Sequence, residues 1–247
     1  MSRFFVKKEN IIAGGIVIDR PGDIHHITRV LRLNTGAEVD ISDSGEWEYR
    51  ARISSISPDR VRLEILDKQK FAREPEIKIT LFQCVPKQGK MEKIIRESVE
   101  LGVSGIVPVF SARTVNAGYG NFAGKAARWQ RVADEAVKQC RRGIVPEVAA
   151  PTPFTGMINI FNQGKFDMMI FPYENEEKCS IKDALRNIEE LPRTLAIVIG
   201  PEGGYSDEEA EILKAAGVTP VSLGRTILRT ETAGPAAIAM AAYELEL

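Results

Sequence analysis

Along the first seventy residues, apolar and polar positions alternate in short runs, and a period of two predicts strands. The stretch Ala37-Glu38-Val39-Asp40-Ile41 alternates throughout, and Ile16-Val17-Ile18 follows the pair Gly14-Gly15. Residues 48–56 and 60–66 flank the turn Ser57-Pro58-Asp59. Short strands with closely spaced turns predict a small β-barrel. One helical stretch, 25–31, interrupts it, and the i, i+3 spacing of Arg29 and Arg32 predicts a shared face.

Beyond residue 76 the pattern changes. Apolar runs at 77–85, 105–110, 167–171, 194–199 and 218–223 read as buried strands, and helical patterns lie between several of them. A helix over 91–101 places Met91, Ile94, Ile95 and Val99 on one face, so it packs on the sheet. A long helix follows over 122–140. Ser206 and Glu209 form a capping box that starts another, which ends at Gly217. An alanine-rich helix spans 231–244, and Gly234-Pro235 near its start is expected to cost it no intrahelical bond. Strands alternating with helices predict an α/β domain built on a parallel sheet. The charged, proline-marked stretch Phe71-Ala72-Arg73-Glu74-Pro75-Glu76 reads as a linker, dividing the chain into domains 1–72 and 73–247.

Composition narrows the classes. The 247 residues carry 33 Lys and Arg against 34 Asp and Glu, a formal charge of −1. No apolar run approaches the roughly 18 residues that span a bilayer, and the first residues lack the apolar core of a secretion signal. Cys84, Cys140 and Cys179 are widely separated, which argues for reduced thiols in the cytoplasm rather than disulfides. The only histidines, His25 and His26, are adjacent and diverge, so no metal site is expected. The near-zero total charge hides segregation. Residues 85–142 hold 11 Lys and Arg against 5 Asp and Glu, and residues 1–32 hold 6 against 3. Local basic footprints of this kind suit RNA.

The chemistry concentrates in two glycine-bearing loops. Ile199-Gly200-Pro201-Glu202-Gly203-Gly204 follows one strand, and Leu223-Gly224-Arg225-Thr226-Ile227-Leu228-Arg229-Thr230-Glu231-Thr232 follows the next. In open α/β sheets, ligands collect outside the carboxyl ends of the strands. A phosphate cradle wants a lysine and open N–H groups, whereas the first loop has Glu202 at its centre and no lysine. It suits a neutral or cationic ligand read by main-chain groups, such as an adenosine bearing a sulfonium. Lys87, Lys90 and Arg113 fall in loops on the same side of the sheet and are candidates for RNA contact. In the N-terminal domain, Arg3, Phe4, Arg29 and Arg32 could grip phosphate and stack on unpaired bases.

GPEGG followed by LGRTILRTETA is similar to the paired signature of the RsmE methyltransferases, within the trefoil-knotted SPOUT superfamily. Further segments agree in order. They are His26-Ile27-Thr28-Arg29-Val30-Leu31-Arg32, Lys90-Met91-Glu92-Lys93 through Glu100-Leu101-Gly102-Val103, and Pro108-Val109-Phe110-Ser111-Ala112-Arg113-Thr114. The stretch from Trp129-Gln130 to Val145-Pro146-Glu147 completes them. The resemblance implies a knotted parallel-sheet domain behind a PUA-like β-barrel, acting as a homodimer. It implies transfer of a methyl group from S-adenosylmethionine to N3 of a uridine in 16S ribosomal RNA of the small subunit. Cofactor contacts are then expected at Phe171, Pro172, Ile199, Gly200, Pro201, Glu202, Gly203, Gly204, Leu223, Gly224, Ile227 and Leu228, and His26 joins the RNA candidates. Arg229 is the candidate for stabilising charge on the base. Glu202 and Glu231 are candidate bases that could equally brace the loops. The alternatives are a ribose 2′-O-methyltransferase of the same superfamily, a non-catalytic RNA-binding assembly factor, and a nucleotide hydrolase. The missing phosphate-binding lysine counts against the last.

Overall fold

The computed structural model describes residues 2–71, 74–87, 89–114 and 122–245. The chain forms two compact units. One comprises the residues up to Glu74 together with Val137–Val145, and the other comprises Pro75–Ala136 and Pro146–Leu247. The boundary expected at 72/73 lies outside the described residues.

The first unit contains β1 (Arg3–Phe5), β2 (Ile11–Ile12), β3 (Gly15–Ile18), α1 (Pro21–His25), β4 (Glu38–Ser42), β5 (Trp47–Ile56) and β6 (Val61–Lys70). Its described strands form one six-stranded sheet in the order β1-β4-β5-β6-β3-β2. All neighbours are antiparallel except β1 and β4. Inward positions of the alternating strands, among them Val39, Ile41, Ala51, Ile53, Val61 and Leu63, close on Phe4, Ile16 and Ile27 as one core. The helical stretch differs from expectation. It starts at Pro21, whose fixed φ suits a first helical position, and passes at His26–Val30 into a wider π turn. Arg32 lies beyond it with φ 51°, so Arg29 and Arg32 do not share a helical face.

The returning segment 137–145 is a part of this unit that the sequence did not announce. Ser42 Oγ donates to Gly143 O, and Arg3 donates to the carbonyls of Arg141 and Arg142 at 2.9 and 3.0 Å. Glu74 accepts from the Arg142 guanidinium at 2.8 Å and from the N–H groups of Gly143 and Ile144 at 2.7 and 3.0 Å.

The second unit contains β7 (Lys78–Cys84), α2 (Lys90–Glu100), β8 (Gly105–Phe110), α3 (Phe122–Cys140, whose last turn belongs to the first unit), β9 (Glu147–Val148), β10 (Thr152–Pro153) and α4 (Phe154–Phe161). It continues with β11 (Met168–Pro172), α5 (Ile181–Arg186), β12 (Thr194–Ile199), α6 (Asp207–Ala215), β13 (Thr219–Val221) and α7 (Thr230–Glu244). The described strands make a parallel sheet in the order β10-β8-β7-β12-β11-β13, with β9 also on β8. Met91, Ile94, Ile95 and Val99 of α2 are buried, as their spacing predicts. The elements β9, β10, α4 and α5 were not foreseen, being too short for a period to show. Because β11, β12 and β13 run parallel, their three exit loops leave the same edge of the sheet.

From edge strand β13 the chain returns as α7 to pack on β12, β7 and α2. Small residues permit this approach. A Cβ on Gly234 would stand 3.2 Å from Gln83 Oε1. Pro235 lies in the second turn rather than the first, since the helix begins at Thr230. It therefore deprives the Glu231 carbonyl of its i+4 donor, one bond more than expected.

Candidate active site

Three loops enclose a cleft of about 1010 Å³, all within the second unit. Its walls are Pro172 to Glu174 and Glu176 to Lys178 from the end of β11 onward, Ile199 to Tyr205 from the end of β12 onward, and Ser222 to Thr230 after β13. Lys90, Ser180, Asp183, Glu231 and Ala233 complete it. Both glycine loops predicted from sequence thus line one space of a size that holds a small ligand.

The loop after β12 is fixed largely by its own packing. Tyr205 is buried, donates its hydroxyl to Val198 O at 2.9 Å and meets Phe171 edge-on at 5.5 Å between ring centroids. A Cβ on Gly200 would lie 3.2 Å from the Tyr205 ring, so this glycine serves the ring's packing. Gly204 has φ 67° and donates its N–H to Pro201 O at 3.0 Å, which closes a tight turn. Ser206 and Glu209 then form the expected capping box. The other Glu209 oxygen accepts the Ala112 N–H at 2.7 Å, and Arg113 donates to Gly203 O at 2.8 Å. A Cβ on Gly203 would touch the Arg113 stem at 3.5 Å.

The loop after β13 is more open. Gly224 has φ 138°, and a Cβ there would meet nothing within 4 Å. Ile227 is 85% exposed on the rim. At the loop's end, Thr230 is buried and donates its hydroxyl to Gly200 O at 2.7 Å while accepting from Gln83 Nε2 at 3.0 Å.

Lys90, at the start of α2, ties the loops together. Its ammonium lies 3.5 Å from Glu202 and 3.2 Å from Glu231, and Glu202 also accepts the Lys87 N–H at 3.0 Å. The Glu231 carboxyl is held below the usual carboxylate range, first by a hydrogen bond from its own backbone N–H. Burial opposes that shift, and Lys90 and then Arg229 add to it. The Arg229 guanidinium is exposed and makes no hydrogen bond or ion pair to another described residue.

Several sequence expectations change. Phe171 is fully buried and does not line the cleft, because its ring packs under Tyr205. Pro172, Ile199, Gly200, Pro201, Glu202, Gly203, Gly204, Leu223, Gly224, Ile227 and Leu228 do line it. Phe4 is 1% exposed and packs against His26, so its ring cannot stack on a base. Arg3 is committed to Glu48 at 2.6 Å and to two carbonyls. Lys90 holds two carboxylates and Arg113 a carbonyl, which ties both to the loops. Arg29, Arg32 and Lys87 remain exposed, and His26 is half-buried. Glu174, Glu176, Glu177, Lys178, Ser180, Asp183, Arg225 and Thr226 line the cleft beyond the expected set. Their place just past the carboxyl ends of β11 and β13 was the available signal.

Residues 73–242 match the model of an RNA methyltransferase domain, and residues 18–66 match that of an RNA methyltransferase PUA domain. The chain belongs to this RNA methyltransferase family. The ribosomal RNA small subunit methyltransferase E of Bacillus subtilis (strain 168) is 31% identical, over 100% of this chain and 98% of its own. A ribosomal RNA small subunit methyltransferase E from Neisseria gonorrhoeae, solved bound to S-adenosylmethionine, superposes with a TM-score of 0.83 at 29% identity. That match covers 98% of this chain and 97% of the other. A putative methyltransferase from Legionella pneumophila, in complex with the same cofactor, gives 0.82 at 28% identity over 98% and 96%. The expected parallel-sheet α/β methyltransferase domain and small PUA-like β domain are both present.

Proposed function

We propose that the protein transfers a methyl group from S-adenosylmethionine to N3 of a uridine in 16S ribosomal RNA. The carrying observation is the pair of loops, GPEGG and LGRTILRTETA, that line one cleft outside the carboxyl ends of parallel strands in a member of this family. The cleft's own chemistry fits the cofactor. Gly224 leaves open space beside a bare backbone, and Ile199, Leu223, Ile227 and Leu228 offer apolar wall. Six acids among the lining residues against four bases favour a cation over a phosphate.

Ile199 to Gly204, Leu223, Gly224, Ile227 and Leu228 would hold the cofactor. When bound, it supplies a methyl group made electrophilic by a sulfonium. This chain's residues then position the nucleotide and stabilise the anion left when N3 loses its proton. Arg229, with no partner of its own among the described residues, carries that charge or grips the adjoining phosphate. Glu202 and Glu231 already hold the Lys90 ammonium, and the Glu231 carboxyl lies below the usual carboxylate range, first through its own backbone N–H, which favours the bracing role.

Residues 1–72 would serve as the RNA-binding domain and 73–247 as the catalytic one, with Arg29, Arg32 and Lys87 the accessible cations for RNA. Action as a homodimer in the cytoplasm belongs to the same proposal. On α7, Tyr243 at 85% exposure and Met240 offer apolar surface for a second copy. No helix among the described residues is long and apolar enough to cross a membrane.

The test is incubation with labelled S-adenosylmethionine and small ribosomal subunits that lack the modification, beside naked 16S RNA. Mass spectrometry then locates the methylated atom. Label at a uridine N3 supports the proposal. Label on a ribose 2′ oxygen, or RNA binding without label, would replace it.

A further inference from the structure

Three charged side chains that meet at the cleft are not equivalent. Arg229 and Glu231 are two residues apart in sequence, both line the cleft with Glu202, and Arg229 lies close enough to Glu231 to influence its titration. An exposed guanidinium two residues from a carboxylate, in a cleft that a second carboxylate also lines, would ordinarily pair with one of them, and most readily in the two-point geometry that Arg and carboxylate share. It does not. Both carboxylates turn to a single ammonium, Lys90 Nζ, at 3.5 Å from Glu202 and 3.2 Å from Glu231. The side chains of Lys90, Glu202 and Glu231 are 30%, 24% and 13% exposed, so the cluster is only partly screened by water. Glu202 is held further by the Lys87 N–H at 3.0 Å. The covalent path reinforces the arrangement. Thr230, between Arg229 and Glu231, is pinned to Gly200 O and Gln83, so the two side chains leave a fixed point of the backbone.

We infer that Lys90 is a positioning residue that occupies Glu202 and Glu231 and so keeps the Arg229 guanidinium free for the substrate. The inference rests on the methyl-transfer reading for its purpose, although the device itself can be read without cofactor or RNA. A simple brace would need any cation between the loops. This device needs a cation whose removal lets the carboxylates capture Arg229. The two differ in what happens when the carboxylates are removed as well.

The experiment measures how fast phenylglyoxal, which condenses with free guanidinium groups, modifies Arg229 in the full-length protein. Peptide mass spectrometry locates the product. Lys90→Met should slow modification by up to about fivefold, the range for a partly exposed ion pair. Adding Glu202→Gln and Glu231→Gln to Lys90→Met should restore the wild-type rate, and Lys90→Arg should leave it unchanged. Single-turnover methyl transfer should follow the same order, down in Lys90→Met and partly recovered when the carboxylates are gone. Should Lys90→Met not fold, Lys90→Gln, which keeps a donor but no charge, should slow modification in the same direction by less. Equal reactivity of Arg229 with and without the Lys90 charge would overturn the inference. So would failure of the carboxamide substitutions to restore reactivity in a folded protein. A wild-type protein that modifies normally yet transfers no methyl group would instead overturn the function.

Discussion

The Thr230 hydroxyl donates to the Gly200 carbonyl at 2.7 Å, joining the first residue of α7 to the first residue after β12. Gln83 Nε2 in turn donates to that hydroxyl at 3.0 Å, so a chain of two hydrogen bonds, one buried and one half-buried, links β7 to both glycine loops. Thr230→Val keeps the shape and removes both bonds. The half-buried Gly200 carbonyl loses its hydroxyl donor, and the buried Gln83 Nε2 keeps only its bond to Cys84 O; a buried group left unmet costs about 1–3 kcal/mol. The expected outcome is a lower denaturation midpoint and weaker binding of S-adenosylhomocysteine, with Thr230→Ser close to wild type. Chemical denaturation and calorimetry check both.

The glycines of the two loops should separate into classes. Gly224 stands at φ 138° with open space where a Cβ would be, so Gly224→Val meets backbone strain and projects into the cleft. It should abolish binding of S-adenosylhomocysteine while lowering the melting temperature only modestly. Gly200→Ala presses on the Tyr205 ring from 3.2 Å and should act chiefly on stability, by about 1–3 kcal/mol of overpacking. Gly203→Val would act through the Arg113 stem, displacing its bond to Gly203 O rather than filling the cleft. Parallel melts and binding isotherms on the three variants test the ordering. Equal loss of stability in Gly224→Val and Gly200→Ala would contradict it.

These glycines also mark how far local sequence patterns reach. The strand runs, the α2 face, the Ser206–Glu209 box and the two loops could all be read because each writes a local period or spacing. Which glycine faces a ligand and which faces a ring depends on Tyr205 and Arg113 folding back, and no local pattern records that. The same holds for charge. A lysine in a loop beside a predicted ligand site reads as an RNA contact, yet Lys90 is consumed by carboxylates 112 and 141 residues away. Phe4 beside Arg3 imitates a stacking surface because the inward and outward faces of a three-residue strand carry no periodicity to tell them apart. The segment 137–145 joins the first unit through backbone carbonyls and N–H groups, which composition cannot show.

The cluster around Lys90 gives stability a pH dependence with a definite sign. The Glu231 carboxyl lies below the usual carboxylate range in the folded protein, through its own N–H, with Lys90 and Arg229 adding to it against burial. The unfolded chain therefore takes up this proton first as pH falls. Its stabilisation is complete at neutral pH, begins to fade near the ordinary glutamate value of about 4.3, and is gone once pH passes below the folded value. Urea midpoints from pH 7 down to pH 3 should fall less steeply in Glu231→Gln than in wild type. Identical slopes would show that Glu231 contributes nothing to the acid limb.

Arg29 and Arg32 should contribute to RNA affinity through charge alone, since both are exposed and neither sits in the cleft. Each alanine substitution should weaken binding to small-subunit RNA and flatten the plot of log affinity against log salt by roughly 0.7–0.9 for each phosphate left unneutralised. Arg3→Ala should act differently. Its guanidinium is tied to Glu48 and to the carbonyls of Arg141 and Arg142, so its loss should lower the melting temperature and leave the salt slope unchanged. Filter binding across a salt series distinguishes the two behaviours.

Arg229 separates chemistry from cofactor binding. Its guanidinium is exposed, lines the cleft and has no hydrogen-bond or ion-pair partner among the described residues, while the neighbouring Glu231 carboxylate and Glu202 hold Lys90. Arg229→Ala should slow single-turnover methyl transfer by about 10²-fold or more, the range for loss of a group aimed at developing charge. Binding of S-adenosylhomocysteine and the melting temperature should move little, because no hydrogen bond or ion pair among the described residues depends on that guanidinium and its effect on Glu231 ranks behind those of the backbone N–H and Lys90. Arg229→Lys should recover only part of the rate, since an ammonium keeps the charge and loses the planar fork that engages two acceptors at once. A bracing role would appear as an early melt and weaker cofactor binding in proportion to the lost rate. A variant of that kind would return Arg229 to the scaffold and leave the charge on the base to Arg225, the other arginine of the same loop that lines the cleft.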